Sequence, residues 1–258
     1  MDYPLRDYPL FVAVTAFVGL WVSGTTGVYL RRRRSALEKG EQEYLDMILT
    51  LALTLLGLII GFSFSMAVSR YDQRKNFEEA EANAIGTEYV RASLLPATDA
   101  ARVRDLLRRY LDQRIVFYTT RDGRQLQEVV ATTARLQNDL WTAVQAPAVA
   151  QPSPVSALAV AGMNDVLNSQ GYTQAAWWNR IPTAAWTLMV AIAISSNLLI
   201  GYKAVPTEEK GVRPFLLHFL LPVIIAISFF LIADMDSPRR GVITVVPQNL
   251  LSLAQSFK

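Results

Sequence analysis

Residues 47–68 read MILTLALTLLGLIIGFSFSMAV, a run without Asp, Glu, Lys or Arg. A helix needs about 20 mainly apolar residues to cross a hydrocarbon layer of roughly 30 Å. Because the backbone must satisfy its own hydrogen bonds in that layer, the run is predicted to be a membrane-spanning helix. Three other stretches of similar character bring the predicted number of spans to four: residues 10–30, 184–200 and 215–233.

The composition agrees with four spans and excludes several classes of function. Hydrophobic residues make up 52% of the 258 residues and charged residues 18%, below the share of about a quarter in soluble proteins. Cysteine is absent, which excludes disulfides and thiolate chemistry, and the single histidine, His218, is interpreted as a helix-end residue at the membrane interface. No catalytic, cofactor or metal motif is present, and no basic stripe with aromatics predicts nucleic-acid binding. We therefore predict a protein that is not an enzyme and has no cofactor.

The first span is predicted to stay uncleaved, because it is too long for a signal peptide and arginines follow it directly. Lys and Arg in the short loops predict the orientation. The loops after the first and third spans lie on one side of the membrane and carry eight basic residues: Arg31, Arg32, Arg33, Arg34, Lys39, Lys203, Lys210 and Arg213. The short ends on the other side carry three: Arg6, Arg239 and Arg240. The positive-inside rule thus predicts a multi-pass protein of the plasma (inner) membrane with both short loops in the cytoplasm. The N-terminus, the long insert and the C-terminus are then extracytoplasmic.

The segment between the second and third spans is predicted to be a soluble, helical insert. Apolar residues at three-and-four spacing predict helices there, and the first continues the second span directly. A β-branched run at residues 242–246 predicts a short strand, and residues 249–257 a terminal helix. The predicted fold is an all-α integral membrane protein, which we divide into four parts: residues 1–69 with two spans and their basic loop, 70–182 with the insert, 183–233 with two spans, and 234–258 with a tail packed on the insert.

The second span carries a stripe of small, weakly polar residues at intervals of three and four: Thr50, Thr54, Gly57, Gly61 and Ser65. One interpretation is close packing, because glycines at this spacing let two helices approach in lipid. The other is a helix that lines a pore, where small residues give room and hydroxyls give polarity. Phe62 and Phe64 then form a hydrophobic constriction, or else face lipid.

Charged residues follow this span, beginning with Arg70 and Arg74 and continuing with Glu78, Glu81 and Glu88. Around the axis of an oligomer, such charges would set the potential at a pore mouth. In a monomer they would form the solvated face of a helix, with opposite charges three and four residues apart.

Two motifs resemble a known family. The first comprises residues 70–74 (RYDQR), 81–89 (EANAIGTEY), Arg91 and 94–96 (LLP), and the second comprises residues 234–241 (DMDSPRRG) after the last span. They resemble the bestrophin-like family of small four-pass membrane proteins, and the resemblance covers nearly the whole chain in its spans, insert and tail.

The resemblance implies a pentameric anion channel whose second span lines a neck with apolar and aromatic side chains, which adds Ile60 and Phe64 to the pore candidates. It also implies a dense acidic calcium-binding run after the last span, where this chain has only Asp234 and Asp236. Two carboxylates are too few for a calcium site, so we expect ion pairs with Arg239, Arg240 or a neighbouring loop. Bestrophins keep their helical region in the cytoplasm, opposite to the orientation that the loop charges favour.

The leading hypothesis is a homo-oligomeric, anion-conducting channel whose partners are the lipid bilayer, further copies of the chain and small inorganic ions. The charged pore mouth would comprise Arg70, Arg74 and Glu81. The predicted pore-lining residues are Thr50, Thr54, Gly57, Ile60, Gly61, Phe64 and Ser65. The alternative is a non-conducting membrane sensor or scaffold whose helical insert binds a ligand or partner.

Overall fold

The computed structural model describes residues 7–33, 38–204 and 212–257, with side chains from residue 219 onward in the last range. The predictions for Arg6, Arg34, Lys210 and the side chains of Arg213 and His218 lie outside these described residues.

The described residues form eight α-helices and one 3₁₀ turn, so the all-α fold is confirmed. Four helical segments are long and apolar enough to cross a membrane, and the chain is a multi-pass membrane protein. The elements are α1 (Pro9–Arg32), α2 (Lys39–Arg91), the 3₁₀ turn Ala92–Leu94, α3 (Ala97–Thr119), α4 (Gly123–Ala150), α5 (Pro154–Trp178), α6 (Thr183–Lys203), α7 (Val212–Asp236) and α8 (Gln248–Ser256).

Helix α2 contains both the second span and the first helix of the insert, as the sequence predicted. It has 53 residues, which corresponds to a length of about 80 Å at about 1.5 Å per residue. No proline interrupts it, and Gly86 lies in its interior. It ends at Arg91, and after the 3₁₀ turn Pro96 forces the preceding Leu95 into an extended conformation, with φ −90° and ψ 163°.

The predicted strand at residues 242–246 is wrong, because these residues form neither helix nor strand. The backbone N–H groups of Val242 and Ile243 donate instead to the Asp234 carboxylate, at 2.6 and 2.8 Å. A β-branched run becomes a strand only beside a pairing partner, and here the side chain of Asp234 takes the donors that a ladder would use.

The chain divides into two compact units. Helix α2 begins in one unit and ends in the other. The insert unit consists of Arg70–Asn179 and the segment from Thr244 onward. The span unit consists of the chain up to Ser69 and of Arg180–Ile243.

In the insert unit, α3, α4 and α5 bury apolar side chains against the continuation of α2, among them Leu107, Leu140 and Met163. Helix α8 also belongs to this unit. The Glu78 carboxylate accepts hydrogen bonds from the Leu250 backbone N–H at 3.0 Å and from Asn249 Nδ2 at 2.6 Å. A carboxylate stabilises a helix N-terminus, so Glu78 fixes the start of α8.

In the span unit, α1 packs against α6 and α7. A Cβ on Gly27 would lie 2.1 Å from the carbonyl oxygen of Leu198, and one on Gly201 would lie 1.9 Å from that of Gly24. Ser23 Oγ also donates to the Ile194 carbonyl at 2.7 Å. Small residues thus let α1 and α6 approach backbone to backbone, as in other membrane helices.

Candidate functional site

The membrane part of α2 buries one side in the span unit. Leu56, Ser63 and Ala67 are 2%, 4% and 0% exposed, and they recur at spacings of seven and four residues. Since successive residues of a helix turn by about 100°, these three lie within about 40° of one another. Most of the remaining circumference of the helix is exposed in the single chain, with Leu53, Ile59 and Ile60 half-buried.

The small, weakly polar stripe lies on this open circumference. All five of its residues, which we call the small face, are exposed: Thr50, Thr54, Gly57, Gly61 and Ser65. Within the described part of the chain, no atom lies within 4 Å of a Cβ placed on Gly57 or Gly61. By helical geometry the small face points about 140° away from Leu56. Packing against the described residues of the chain therefore does not account for these glycines, in contrast to Gly27 and Gly201.

A third side of α2 carries large apolar side chains: Leu51, Leu55, Leu58, Phe62 and Met66, with exposures of 63%, 47%, 54%, 65% and 39%. The two phenylalanines that the sequence analysis treated as one pair lie on different sides of α2. Phe62 lies on this large apolar face, whereas Phe64 follows Gly57 by seven residues and Gly61 by three, beside the small face. Ile60 is half-buried, next to the buried side.

Helix α2 is also the least enclosed of the four spans. Only 11% of its most apolar stretch is buried in the single chain, against 22%, 28% and 44% for the other three. The hydroxyl of Thr54 donates to the Thr50 carbonyl at 2.8 Å, so its proton is used within the helix. At Thr54 the small face thus presents a methyl group and oxygen lone pairs.

The charged residues after the span differ in burial. Arg70 is half-buried, whereas Arg74 and Glu81 are 1% and 0% exposed inside the insert unit. Glu81 forms a buried ion pair with Arg114 and accepts hydrogen bonds from the hydroxyls of Tyr118 and Thr173, at 3.3 and 3.2 Å. Burial alone would lower the pKa of Arg114, but the Glu81 charge beside it raises that pKa above its ordinary value.

Glu88, which the sequence analysis named among the charged residues after the span, is a buried carboxylate. It is 0% exposed, and neither of its oxygens has a hydrogen-bond partner among the described residues. A Cβ on Gly162 of α5 would lie 2.0 Å from Glu88 Oε2, so this glycine makes room for the carboxylate. Burial raises the pKa of Glu88 to about 8, opposed by Arg91 and reinforced by Asp165.

A second polar cluster lies in the span unit and includes Asp236, the last residue of α7. Arg180, in the linker before α6, forms ion pairs with Asp236 and with Asp7, which precedes α1. This confirms the expected ion pair with a neighbouring loop. The Arg240 guanidinium lies over the ring of Tyr8, 4.7 Å from its centroid. Sequence reasoning missed Arg180, whose only signal was a charged residue at the edge of a span.

Solved structures share this fold. A single-residue variant of a bacterial bestrophin homologue from Klebsiella pneumoniae matches with a TM-score of 0.65 at 13% identity, over 96% of this chain and 97% of that one. The structure of that homologue solved by zinc SAD phasing matches with a TM-score of 0.58 at 15% identity, over 95% and 98% of the two chains. At these identities the likeness concerns the fold.

The family comparison covers more than the two motifs. No curated protein matches the sequence. A family model described as the bestrophin-like domain matches residues 11–250, from α1 to the start of α8. The match includes both motifs on which the sequence resemblance rested, so that resemblance is confirmed. The chain belongs to the bestrophin-like family.

Proposed function

We propose that the protein is a homo-oligomeric ion channel, anion-conducting, in which the α2 helices of several copies surround a common axis. The observation that carries the proposal is the small face, which is exposed on an apolar helix and has no packing role within the described chain. Membership of the bestrophin-like family supports the same arrangement, with five copies by analogy.

In this arrangement the two exposed sides of α2 have different environments. The small face, with Phe64 beside it and Ile60 nearer the buried side, turns toward the axis, because glycines and hydroxyls leave room for ions and water. The large apolar face turns toward lipid or a neighbouring copy, where Leu55, Phe62 and Met66 lose their exposure. Phe64 is the largest side chain beside the small face, and a ring of such side chains forms a hydrophobic constriction.

The charge at the pore mouth comes from the residues that follow the span. Arg70 is partly accessible and contributes a positive potential that favours anions. Arg74 and Glu81 contribute from buried positions, where Glu81 is paired with Arg114. We also propose that the chain consists of the four parts 1–69, 70–182, 183–233 and 234–258, and that the insert is extracytoplasmic.

The test is anion flux through purified protein in liposomes. Phe64→Ala removes the constriction and is expected to raise the flux several-fold. Phe62→Ala is the matched control, the same substitution on the large apolar face, and is expected to leave the flux near that of the wild type. The absence of flux under every gating condition would contradict the proposal. A change with Phe62→Ala but none with Phe64→Ala would reverse the assignment of the faces.

The alternative, a membrane sensor or scaffold, rests on a groove in the insert unit. It lies between α4 and α5, has a volume of about 570 Å³, and is lined by Trp141, Val149 and Val160 with Gln145 and Asn164 at its sides. A small apolar ligand fits a groove of this character. The oligomeric state separates the two functions, because a monomer or a sealed dimer leaves no axial path.

A further inference from the structure

Three segments of the span unit meet at Arg180: the segment before α1, the linker between α5 and α6, and the end of α7. Arg180 Nε donates to Asp236 Oδ2 at 3.1 Å, and Arg180 Nη2 donates to Asp7 Oδ1. The second oxygen of Asp236 accepts the Ile181 backbone N–H at 3.0 Å. Ser237 Oγ donates to the carbonyl of Asp7 at 3.2 Å and closes the cluster. We call Asp7, Arg180, Asp236 and Ser237 the clasp.

The clasp is largely buried, so its carboxylates need a charged partner within the protein. The side chains of Asp7 and Asp236 are 7% and 2% exposed, and that of Arg180 is 13% exposed. Buried carboxylates are costly unless they are paired and hydrogen-bonded. Arg180 supplies the positive charge and donates to both carboxylates.

The bestrophin resemblance implies calcium at this place in the chain, and the residues do not fit it. Calcium needs about six to eight oxygen ligands. Both oxygens of Asp234 accept backbone N–H groups, and both oxygens of Asp236 accept N–H groups from Arg180 and Ile181. Among the described residues, no group of three acidic or histidine side chains is arranged to hold a metal. The oxygens point at donors and not at a common centre.

We propose that Arg180 takes the place of a metal ion: its guanidinium ties the segment before α1 to the end of α7, and this joint is independent of calcium. The proposal concerns the clasp alone and does not depend on whether the protein conducts ions.

Arginine suits this position because its guanidinium is planar and always charged, and it carries donors in a fixed fork. One edge atom, Nε, reaches Asp236 and a terminal nitrogen reaches Asp7. Lysine would keep the charge but has a single compact ammonium, which serves two carboxylates on different segments less well. A partial effect of Arg180→Lys is therefore the signature of a bridging role.

The experiment is thermal unfolding of the purified full chain in detergent, with EDTA or with millimolar calcium chloride. The wild type is expected to melt at the same temperature in both. Arg180→Gln is expected to lower the melting temperature by about 5–10 °C, because two buried carboxylates lose their counter-charge. The melting temperature of Arg180→Lys is expected to lie between those of the wild type and Arg180→Gln. Arg121→Gln, the same change at an exposed arginine, is the control and is expected to match the wild type.

Two results would overturn the proposal. One is calcium binding by the wild type, seen as a rise in melting temperature that EDTA reverses or as stoichiometric heat in a calcium titration. The other is an Arg180→Gln variant that melts like the wild type. The wild-type calcium titration decides the proposal even if that variant does not fold.

Discussion

The spacing of the glutamates on the insert part of α2 predicted a solvated face, but three of them are buried. Glu78, Glu81 and Glu88 are 1%, 0% and 0% exposed. Opposite charges three and four residues apart fit a solvated helix, so the sequence alone could not reveal that this side is covered. The partners are remote in sequence: Arg114 lies 33 residues after Glu81, and Asn249 lies 171 residues after Glu78. Only the tertiary fold brings them together.

Glu88 gives a pH prediction at the same scale. Its pKa is about 8 in the folded protein against an ordinary value of 4.5. Between these two pH values the folded state binds more protons than the unfolded state, so the free energy of unfolding falls as pH rises through this window. Glu88→Gln stays neutral and removes this dependence. From pH 5 to pH 9 we expect the free energy of unfolding of the variant to rise by about 1–2 kcal/mol relative to that of the wild type. This is less than the full pKa shift corresponds to, because solvent screens part of the interaction.

Thermal unfolding of the two proteins across that pH range measures the effect. Glu79→Gln is the control, since Glu79 is an exposed neighbour on the same helix. Its pH profile is expected to run parallel to that of the wild type. A Glu88→Gln profile that is equally parallel would show that Glu88 does not titrate in this window.

At the scale of elements, the sequence predicted the spans and the continuity of α2, because hydropathy and the absence of proline act locally. It could not decide what the small stripe of α2 does. Gly27 and Gly57 look alike in sequence, yet one touches a neighbouring helix while the other meets nothing in the described chain. The difference depends on which helices lie beside each glycine. The strand predicted at residues 242–246 failed for the same reason, because the backbone N–H groups of Val242 and Ile243 donate to the Asp234 carboxylate.

At the scale of the whole molecule, the loop charges and the family analogy predict opposite orientations for the insert. We expect the loop charges to decide, since they act on short loops next to the spans. Thr98 is exposed at the start of α3, and the native chain has no cysteine. Thr98→Cys should therefore react with an impermeant thiol reagent from outside intact cells. Labelling only after the cells are opened would place the insert in the cytoplasm.

The central claim is that α2 of several copies encloses an axial path with its small face inward. Cryo-electron microscopy of the purified protein in lipid nanodiscs tests it most directly. The account predicts a symmetric ring of copies with Gly57, Gly61 and Phe64 on a continuous central path, and with Leu55 and Phe62 away from the axis. A monomer, a sealed dimer, or a ring in which α2 lies on the outer surface would contradict it.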